Sequence, residues 1–428
     1  MENRMENRME NRMFKRVMIL ITLIVGIGLI GSPLKAADTF KIATFEPMSG
    51  PFKYLGDLGV SSVQFHASKY NEEGGLMGKK IEIVPYDSQM KPEVAVKEAT
   101  KALLEDKVNV LCSQIGSHIA QALSQLARKH KVIYVNCGAE AASLTGGDCN
   151  PYHFRVSLNT SSHSKALAAF LIAYPDVKRI GIIAQDYNFG REASADFKKH
   201  LKVFRPDIEI AVEIYHPLMT KDFAPYITKL NAANVPWIFS SNFGPDLTYL
   251  LKQGENLGLK GRLLTYYVEE PFLLRDVQQA AVGHVQADIG SMANPHAKNK
   301  ELLENWHKNY KKFVKSDDTI YQWPHAATFH SYYIRMLFEA VKKAGTFDTE
   351  SVIKAWEGLK YTGMTGEVVM RAEDHQLSSP VPVVEIIPKS ENKLDPSYPG
   401  SKFLKMIPID EASVPLSETG CKRKAGEM

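Results

Sequence analysis

Residues 109–117, Asn-Val-Leu-Cys-Ser-Gln-Ile-Gly-Ser, lead into a helical pattern that continues to Lys131. Val110 to Cys112 is short and apolar, which predicts a buried strand, and Gly116-Ser117 predicts a tight turn. Apolar residues then recur with the spacing of one helix face, at Ile119, Ala122, Leu123, Leu126 and Ala127. A strand that turns directly into an amphipathic helix is the building unit of an open α/β sheet.

The turn at Gly116 and Ser117 places the start of this helix at the carboxyl end of a strand. The first N–H groups of a helix carry partial positive charge and favour a ligand carboxylate. In open α/β sheets, ligands bind in the crevice beyond the carboxyl ends of the strands. Gly116 and Ser117 are therefore candidate ligand contacts, with the alternative that Ser117 only caps its helix.

The alternation of strand and helix patterns continues on both sides of this unit. It begins with an apolar strand at 41–45 and restarts with strands at 179–184 and 210–216. This order implies parallel strands connected by helices. Two successive sheets of this kind imply an α/β protein with two Rossmann-like lobes and a cleft between them. A late strand pattern at 381–388 contains Pro382, which predicts an edge or crossover position.

The charge of the chain argues against nucleic acid as a partner. The formal net charge is +4, but residues 1–36 contain six basic and three acidic residues, which leaves about +1 for the remainder. Phosphate binding needs a concentrated basic face, and a nearly neutral body lacks one.

Residues 1–36 have the pattern of a secretory signal peptide. Lys15 and Arg16 precede the apolar run Val17 to Ile30, and small residues at 36–37 offer a cleavage site. We therefore expect export to the periplasm. The sequence leaves open whether translation starts at Met1 or Met13.

The four cysteines bear on the folding compartment and on metal binding. Cys137 and Cys149 flank a short loop, so in an oxidising compartment they are the predicted disulfide, whereas Cys112 is predicted to be a buried thiol. There is no Cys/His cluster with zinc spacing, no P-loop and no nucleophile elbow. The prediction is a binding protein without catalytic residues, cofactor or metal.

Three motifs resemble the periplasmic branched-chain amino acid-type binding proteins, the leucine/isoleucine/valine-binding solute receptors of ABC importers. Residues 45–51 resemble the opening loop of that family, a strand that runs into P-x-S-G. Residues 71–81 resemble its N-x-x-G-G-x-x-G segment, and residues 186–190 its D-x-x-Y-G loop. The resemblance covers about residues 38–390.

This resemblance implies the type I periplasmic binding fold, in which two open parallel-sheet lobes are joined by a three-strand hinge. Lobe 1 would comprise 38–157 plus 292–374, and lobe 2 would comprise 158–291 plus 375–412, with a flexible tail at 413–428. Members of the family close around a small organic ligand and then dock on an inner-membrane ABC permease. A monomer is expected.

The resemblance also implies ligand contacts, residue by residue. In lobe 1, Ser117 would hold a ligand carboxylate, and Ala139 would contribute a backbone contact. Glu140 stands where amino acid binders commonly carry threonine, and its charge would repel a ligand carboxylate unless it is protonated or paired. Phe189 replaces the tyrosine of the D-x-x-Y-G loop.

The remaining implied contacts are acidic or aromatic. The carboxylate that holds an ammonium group aligns with Glu269 or Glu270. The aromatic residue of the opening loop aligns with Tyr54, and an aromatic residue of lobe 1 near a late helix aligns with the region of Trp323. Tyr267 is a further candidate. About half of the aromatic residues on the strand-end loops are expected to pack in the cores: Phe52, Tyr54, Phe189, Phe243, Tyr266, Tyr267, Phe272 and Trp323.

These departures predict a ligand that is larger or more apolar than an aliphatic amino acid, because two hydroxyls are lost and one carboxylate is gained. An aromatic acid, a terpenoid- or sterol-like lipid, or an amide would fit, with an amino acid-like ligand as the other possibility. The alternative functions are a ligand-sensing regulator of the same fold and a secreted hydrolase.

Overall fold

The computed structural model describes residues 39–428, so the predicted signal peptide lies outside the described residues. Within this range, no helix is both long enough and apolar enough to cross a membrane. Two large sheets, each dominated by parallel strands, form the centres of two lobes.

The first sheet comes from the N-terminal part of the chain. Its strands are β1 (Phe40–Glu46), β2 (Ile81–Asp87), β3 (Val110–Ser113), β4 (Ile133–Asn136) and β5 (His153–Arg155). All are parallel, in the order β2-β1-β3-β4-β5. The predicted strand at 110–112 is thus the central strand of this sheet, which places the turn after it in the middle of the sheet's carboxyl edge.

The second sheet follows in the sequence and repeats the same arrangement. Its first strands are β6 (Arg179–Gln185), β7 (Glu209–His216), β8 (Trp237–Ser240), β9 (Arg262–Thr265) and β10 (Val285–Ala287). Their pairings are parallel, in the order β10-β9-β8-β6-β7.

The C-terminal strands complete the architecture. They are β11 (Lys360–Gly363), β12 (Gly366–Met370), β13 (Leu377–Ser378), β14 (Val381–Ile387) and β15 (Gly400–Ile407). The first three form a small antiparallel sheet, whereas β14 and β15 extend the second sheet beside β10. Of the edge or crossover position predicted from Pro382, the edge is wrong, because β14 pairs on both sides and β15 takes the edge. The strand instead follows directly on a passage of the chain between the lobes.

Helices connect the strands, as the alternation predicts. Those of the N-terminal half are α1 (Lys53–Glu72), α2 (Pro92–Leu104), α3 (Ser117–His130), α4 (Thr160–Phe170), α5 (Asn188–Phe204), α6 (Ala224–Ala233) and α7 (Gly244–Asn256). Those that follow are α8 (Pro271–Val277), α9 (Ala297–Asn309), α10 (Ala326–His330), α11 (Arg335–Ala344), α12 (Thr349–Trp356), α13 (Ile409–Ala412) and α14 (Leu416–Thr419).

The N-x-x-G-G-x-x-G segment closes the connection between α1 and β2. The Asn71 side chain donates to the carbonyl of Ile81 at 2.9 Å and accepts from its N–H at 2.8 Å. Gly75 has φ +85°, and a Cβ there would lie 2.3 Å from the carbonyl oxygen of Lys79. The motif therefore specifies a tight turn that only asparagine and glycine at these positions satisfy.

The chain passes between the lobes three times: between β5 and α4, between β10 and α9, and between β13 and β14. The second passage returns the chain to the first lobe, where Trp306 packs 5.1 Å from Phe65 of α1, centroid to centroid. Gln376 donates to the carbonyl of Ser157 at 2.8 Å and so links the first and third passages. The lobe boundaries given above remain predictions.

The disulfide predicted between Cys137 and Cys149 is wrong. Cys149 is bonded to Cys421, 272 residues further along the chain. Cys137 instead lies fully buried beside Cys112, with the two sulfur atoms 3.3 Å apart, because both side chains point into the core between β3 and β4. The buried thiol predicted for Cys112 is confirmed.

The C-terminal tail is fastened to both lobes rather than free, which corrects the expectation of a flexible tail. Besides the Cys149–Cys421 bond to the first lobe, Arg423 donates to Glu357 at 2.9 Å. On the second lobe, the carbonyl of Ser413 accepts from Lys165 at 2.7 Å. The tail thus runs across the outside of the hinge.

Candidate ligand-binding site

A cavity of about 740 Å³, including its opening to solvent, lies between the two lobes. The loops that follow β3 and β4 form one wall, and loops of the second lobe form the other. Eight of the ten residues predicted as ligand contacts line it: Tyr54, Gly116, Ser117, Ala139, Glu140, Phe189, Tyr267 and Glu270.

The two lobes touch along the rim of the cleft. Arg275 of the second lobe donates to both oxygens of Asp318 of the first, at 2.6 and 2.8 Å. The ring centroids of Tyr54 and Phe272 are 5.4 Å apart across the same gap. The cleft is therefore in its closed form.

The first wall is built on the turn before α3. Gly116 has φ +95°, and a Cβ there would lie 3.1 Å from the Ile119 side chain, so the turn requires glycine. Ser117 begins the helix and is 2% exposed. Its Oγ accepts from the N–H of Ala141 at 3.1 Å. That bond uses a lone pair, so the hydroxyl proton and the first helical N–H groups remain to be donated to a ligand.

The loop after β4 is held rigidly against this turn. The Asn136 side chain accepts from the N–H of Ala139 at 2.8 Å and donates to its carbonyl at 2.8 Å. Arg155 supports the loop from below by donating to the carbonyl of Ala141 at 2.7 Å. Because the Ala139 N–H is already used, this residue offers the cavity its methyl group rather than the backbone contact that we predicted.

Glu140 is buried in a cluster of four ionisable side chains. Its Oε1 lies 3.1 Å from Nε2 of His163, which is itself 3.7 Å from Oδ1 of Asp288. The other oxygen of Asp288 lies 2.9 Å from Nε2 of His330. The cluster contains two carboxyl groups and two imidazoles, so the charges can balance.

The pKa values of the cluster follow from this pairing. Burial lowers the pKa of His330, but the charge of Asp288 and its hydrogen bond outweigh burial and raise it to about 9. Burial likewise lowers the pKa of His163, yet the nearby charge of Glu140 leaves it raised. Burial raises the pKa of Asp288, and the two histidines more than reverse this effect. His330 is therefore a cation at neutral pH.

Glu270 connects the lobes at the other side of the cavity. It precedes α8 of the second lobe, and its carboxylate accepts from the N–H of Ala326 at 3.0 Å and contacts Nδ1 of His325 at 2.5 Å. Both partners lie at the start of α10 in the first lobe. His325 is not among the contacts predicted above, because nothing in the local sequence pairs it with Glu270.

Two predicted contacts, Glu269 and Trp323, do not line the cavity. Glu269 points toward the hinge, where its carboxylate accepts from the N–H of Met292 at 3.0 Å, and burial raises its pKa to about 7. Neighbouring residues in an extended segment face opposite ways, so only Glu270 faces the cavity. Trp323 stacks on His307 outside it, with ring centroids 4.6 Å apart.

Aromatic rings form most of the apolar lining. Phe243 lies between Phe189 and Tyr267, with ring centroids 5.9 and 6.0 Å away. Of the eight aromatic residues predicted on strand-end loops, four line the cavity: Tyr54, Phe189, Phe243 and Tyr267. Tyr187 also lines it and was missed. It precedes Phe189 by two residues, so a tyrosine is present in this loop although at a different position.

A family model for periplasmic binding proteins matches residues 39–392 of the chain. The chain belongs to the periplasmic binding protein family. As such it is a solute-binding protein of the ABC-transporter type, with its ligand site between two lobes.

Relatives match this periplasmic binding protein over almost its whole length. It is 30% identical over 413 residues to the Leu/Ile/Val-binding protein homolog 4 of Brucella melitensis, covering 94% of this chain and 96% of that one. A closed structure of the leucine-, isoleucine-, valine-, threonine- and alanine-binding protein of Brucella ovis is 28% identical and superposes with a TM-score of 0.78, covering 89% of this chain and 98% of the other.

A third similar protein has an aromatic ligand. The solute-binding protein of an ABC transporter from Rhodopseudomonas palustris BisB5, solved in complex with 3,4-dihydroxybenzoic acid, is 25% identical, with a TM-score of 0.76. The match covers 87% of the periplasmic binding protein and 98% of that chain.

Proposed function

We propose that this periplasmic binding protein captures a small carboxylic acid with an aromatic or bulky apolar group and delivers it to an inner-membrane ABC importer. The observation that carries the proposal is the position of Ser117 and the start of α3 in the same cavity as an aromatic wall. Ser117 and the start of α3 can hold a carboxylate, and the aromatic wall can hold an apolar group.

Pairing removes the objection that Glu140 would repel an anionic ligand. Its oxygen lies 3.1 Å from His163, and the same cluster contains the His330 cation opposite Asp288. The repulsion predicted from the sequence assumed an unpaired Glu140. With two imidazoles balancing two carboxylates, the helix N-terminus decides which charge is favoured at this wall.

The rings supply the affinity for an apolar group. An aromatic ligand buries roughly 150–250 Å², the area typical of an aromatic side chain. At about 25 cal/mol per Å², this contributes about 4–6 kcal/mol before the entropy of binding is subtracted. The similar solute-binding protein of Rhodopseudomonas palustris BisB5, solved with 3,4-dihydroxybenzoic acid, supports an aromatic acid as one member of the ligand class.

An apolar α-amino acid is the second candidate, because the Glu270 carboxylate also lines the cavity and could accept from an ammonium group. Its two hydrogen bonds to the start of α10 already occupy part of that capacity. The names of the Leu/Ile/Val-binding relatives support this candidate.

A thermal-shift and calorimetry panel tests the proposal. It compares benzoate, 4-hydroxybenzoate, phenylacetate and a medium-chain fatty acid with leucine, phenylalanine and the matched neutral amide benzamide. We expect stabilisation by the apolar acids and little by benzamide, which lacks the carboxylate. Strong stabilisation by leucine with none by the apolar acids would overturn the ligand class.

A further inference from the structure

Four ionisable side chains at one wall of the cavity, of which Glu140 and His330 line it, have the arrangement of a metal site. One ligand atom from each of Glu140, Asp288 and His330 lies within 4.8 Å of the other two. His163 joins them, with its Nε2 3.1 Å from Glu140 and 3.7 Å from Asp288. All four side chains are at least nine-tenths buried.

Three atoms of this cluster lack the hydrogen bonds that buried polar atoms normally have. Among the described residues, neither oxygen of Glu140 nor Nε2 of His163 has a hydrogen-bond partner. His163 and Glu140 form an ion pair at 3.1 Å that does not have the geometry of a hydrogen bond. Buried polar atoms are normally hydrogen-bonded, so an ion pair without that geometry leaves the Glu140 oxygens and Nε2 of His163 available as ligands of a cation.

The other nitrogen of His163 is already committed. Its Nδ1 lies 2.7 Å from the carbonyl oxygen of Ala287, to which it donates. Metal-bound histidines almost always donate their second ring nitrogen to a carbonyl or carboxylate, which fixes the tautomer and leaves the first nitrogen as a ligand. The lone pair of Nε2 then faces Glu140 and Asp288.

The donor set selects the class of ion. Two imidazoles and two carboxylates suit Zn²⁺ and similar divalent transition metals, whereas Ca²⁺ and Mg²⁺ prefer oxygen ligands alone. A divalent cation held by two carboxylates and two neutral imidazoles has no net charge. Because His330 carries a proton at neutral pH without the ion, binding of the ion releases that proton.

We propose that Glu140, His163, Asp288 and His330 bind one divalent transition-metal ion, with Zn²⁺ as the reference case. Glu140 and His330 belong to the first lobe, and His163 and Asp288 to the second. The complete ligand set exists only when the lobes are closed, so the ion stabilises the closed form. Linear spacing gave no indication of the site because its four ligands come from four separate segments.

Isothermal titration of the full mature chain with zinc sulfate, after dialysis against EDTA and with no organic ligand present, tests the site. We expect one ion per chain. His163→Gln and Asp288→Asn should each weaken binding about 100-fold or more, and His307→Gln, which changes a half-exposed histidine outside the cluster, should leave it unchanged. Circular dichroism without zinc establishes that each variant is folded.

X-ray absorption on the zinc-loaded wild-type protein keeps the test decisive if a variant fails to fold. We expect a first shell of two imidazole nitrogens and two carboxylate oxygens. Zinc affinity unchanged in His163→Gln and Asp288→Asn, a different first shell, or no binding by the wild type below about 10 µM would each overturn the proposal. Because no organic acid is added, these outcomes are independent of the proposed function.

Discussion

Replacing Glu270 with glutamine should weaken ligand binding by opening the cleft. The Glu270 carboxylate is 7% exposed and accepts two hydrogen bonds from the start of α10, on the opposite lobe. Glutamine has the same shape but only one oxygen. Its NH₂ group faces either the Ala326 N–H, which offers it no acceptor, or Nδ1 of His325, to which it can donate only when that nitrogen is unprotonated. In both orientations the negative charge that strengthens the interlobe hydrogen bonds is removed.

The magnitude follows from the type of bond that is lost. A buried hydrogen bond to a charged group contributes about 1.5–3 kcal/mol, and exposure here is too low for solvent to reduce it much. Since Glu270 lies on one lobe and its two partners lie on the other, these hydrogen bonds stabilise the closed form alone. Each 1.4 kcal/mol is a factor of ten, so the closed fraction and with it the apparent affinity should fall by roughly 10–100-fold.

Two measurements report the loss of affinity and the loss of closure in Glu270→Gln. Calorimetry with the tightest-binding acid of the panel gives the affinity, and small-angle scattering gives the radius of gyration with and without that acid. Arg275→Gln is the matched control because Arg275 also bridges the lobes but is 42% exposed, and such pairs contribute about 0–1 kcal/mol. We expect Glu270→Gln to need more ligand for the same compaction and Arg275→Gln to behave nearly as the wild type.

Wild-type affinity and compaction in Glu270→Gln would refute the role of Glu270 in closing the cleft. An equal loss of affinity in Arg275→Gln would refute it as well. A double-mutant cycle with His325→Gln separates closure from direct ligand contact. If the two residues act through one interlobe bond, the second substitution should add little to the first.

Three further outcomes are expected. Ser117→Ala should raise the Kd for the preferred acid about tenfold, near 1.4 kcal/mol, as measured by calorimetry. Ser68→Ala, which changes a part-exposed serine on α1, should leave the Kd unchanged. Equal affinity in Ser117→Ala and the wild type would leave Ser117 with a structural role alone. Cys421→Ser should lower the free energy of unfolding by about 2–5 kcal/mol, because the lost bond closes a loop of 272 residues. Reductant should lower the melting temperature of the wild type in the same way. Identical melting curves for the wild type with and without reductant would count against the bond. Burial raises the pKa of Glu46 to about 8, so the unfolded chain loses this proton at lower pH than the folded chain, and stability should fall as pH rises from about 5 to 8. Urea unfolding should show this fall, at most about 5 kcal/mol, in the wild type but not in Glu46→Gln; parallel curves for the two proteins would exclude Glu46 as the cause.

Local sequence patterns predicted most of the fold because the information they carry is local. The apolar run at 110–112 needed only its own composition to be recognised as a buried strand. The segment at 71–81 could be recognised because its turn is fixed by Asn71 and Gly75 within a few residues. The edge position assigned to 381–388 failed because Pro382 restricts hydrogen bonding but does not reveal which strands will be neighbours.

Contacts between distant segments were the part that the sequence could not reveal. Cys149 and Cys421 are far apart in the chain, and the shorter loop to Cys137 was the simpler pairing. Glu140 was identified as a departure from the family pattern, but its compensation by His163 depends on how α4 packs against the first lobe. The choice between Glu269 and Glu270 likewise depended on the direction of one extended segment.

The most direct test of the central claim is to identify the ligand that remains bound to the purified protein. The full-length chain, purified from the cells that produce it and then denatured, should release its ligand for mass spectrometry. We expect a carboxylic acid with an aromatic or extended apolar group, recovered chemically unchanged. A branched aliphatic amino acid, or a molecule without a carboxylate, would contradict it.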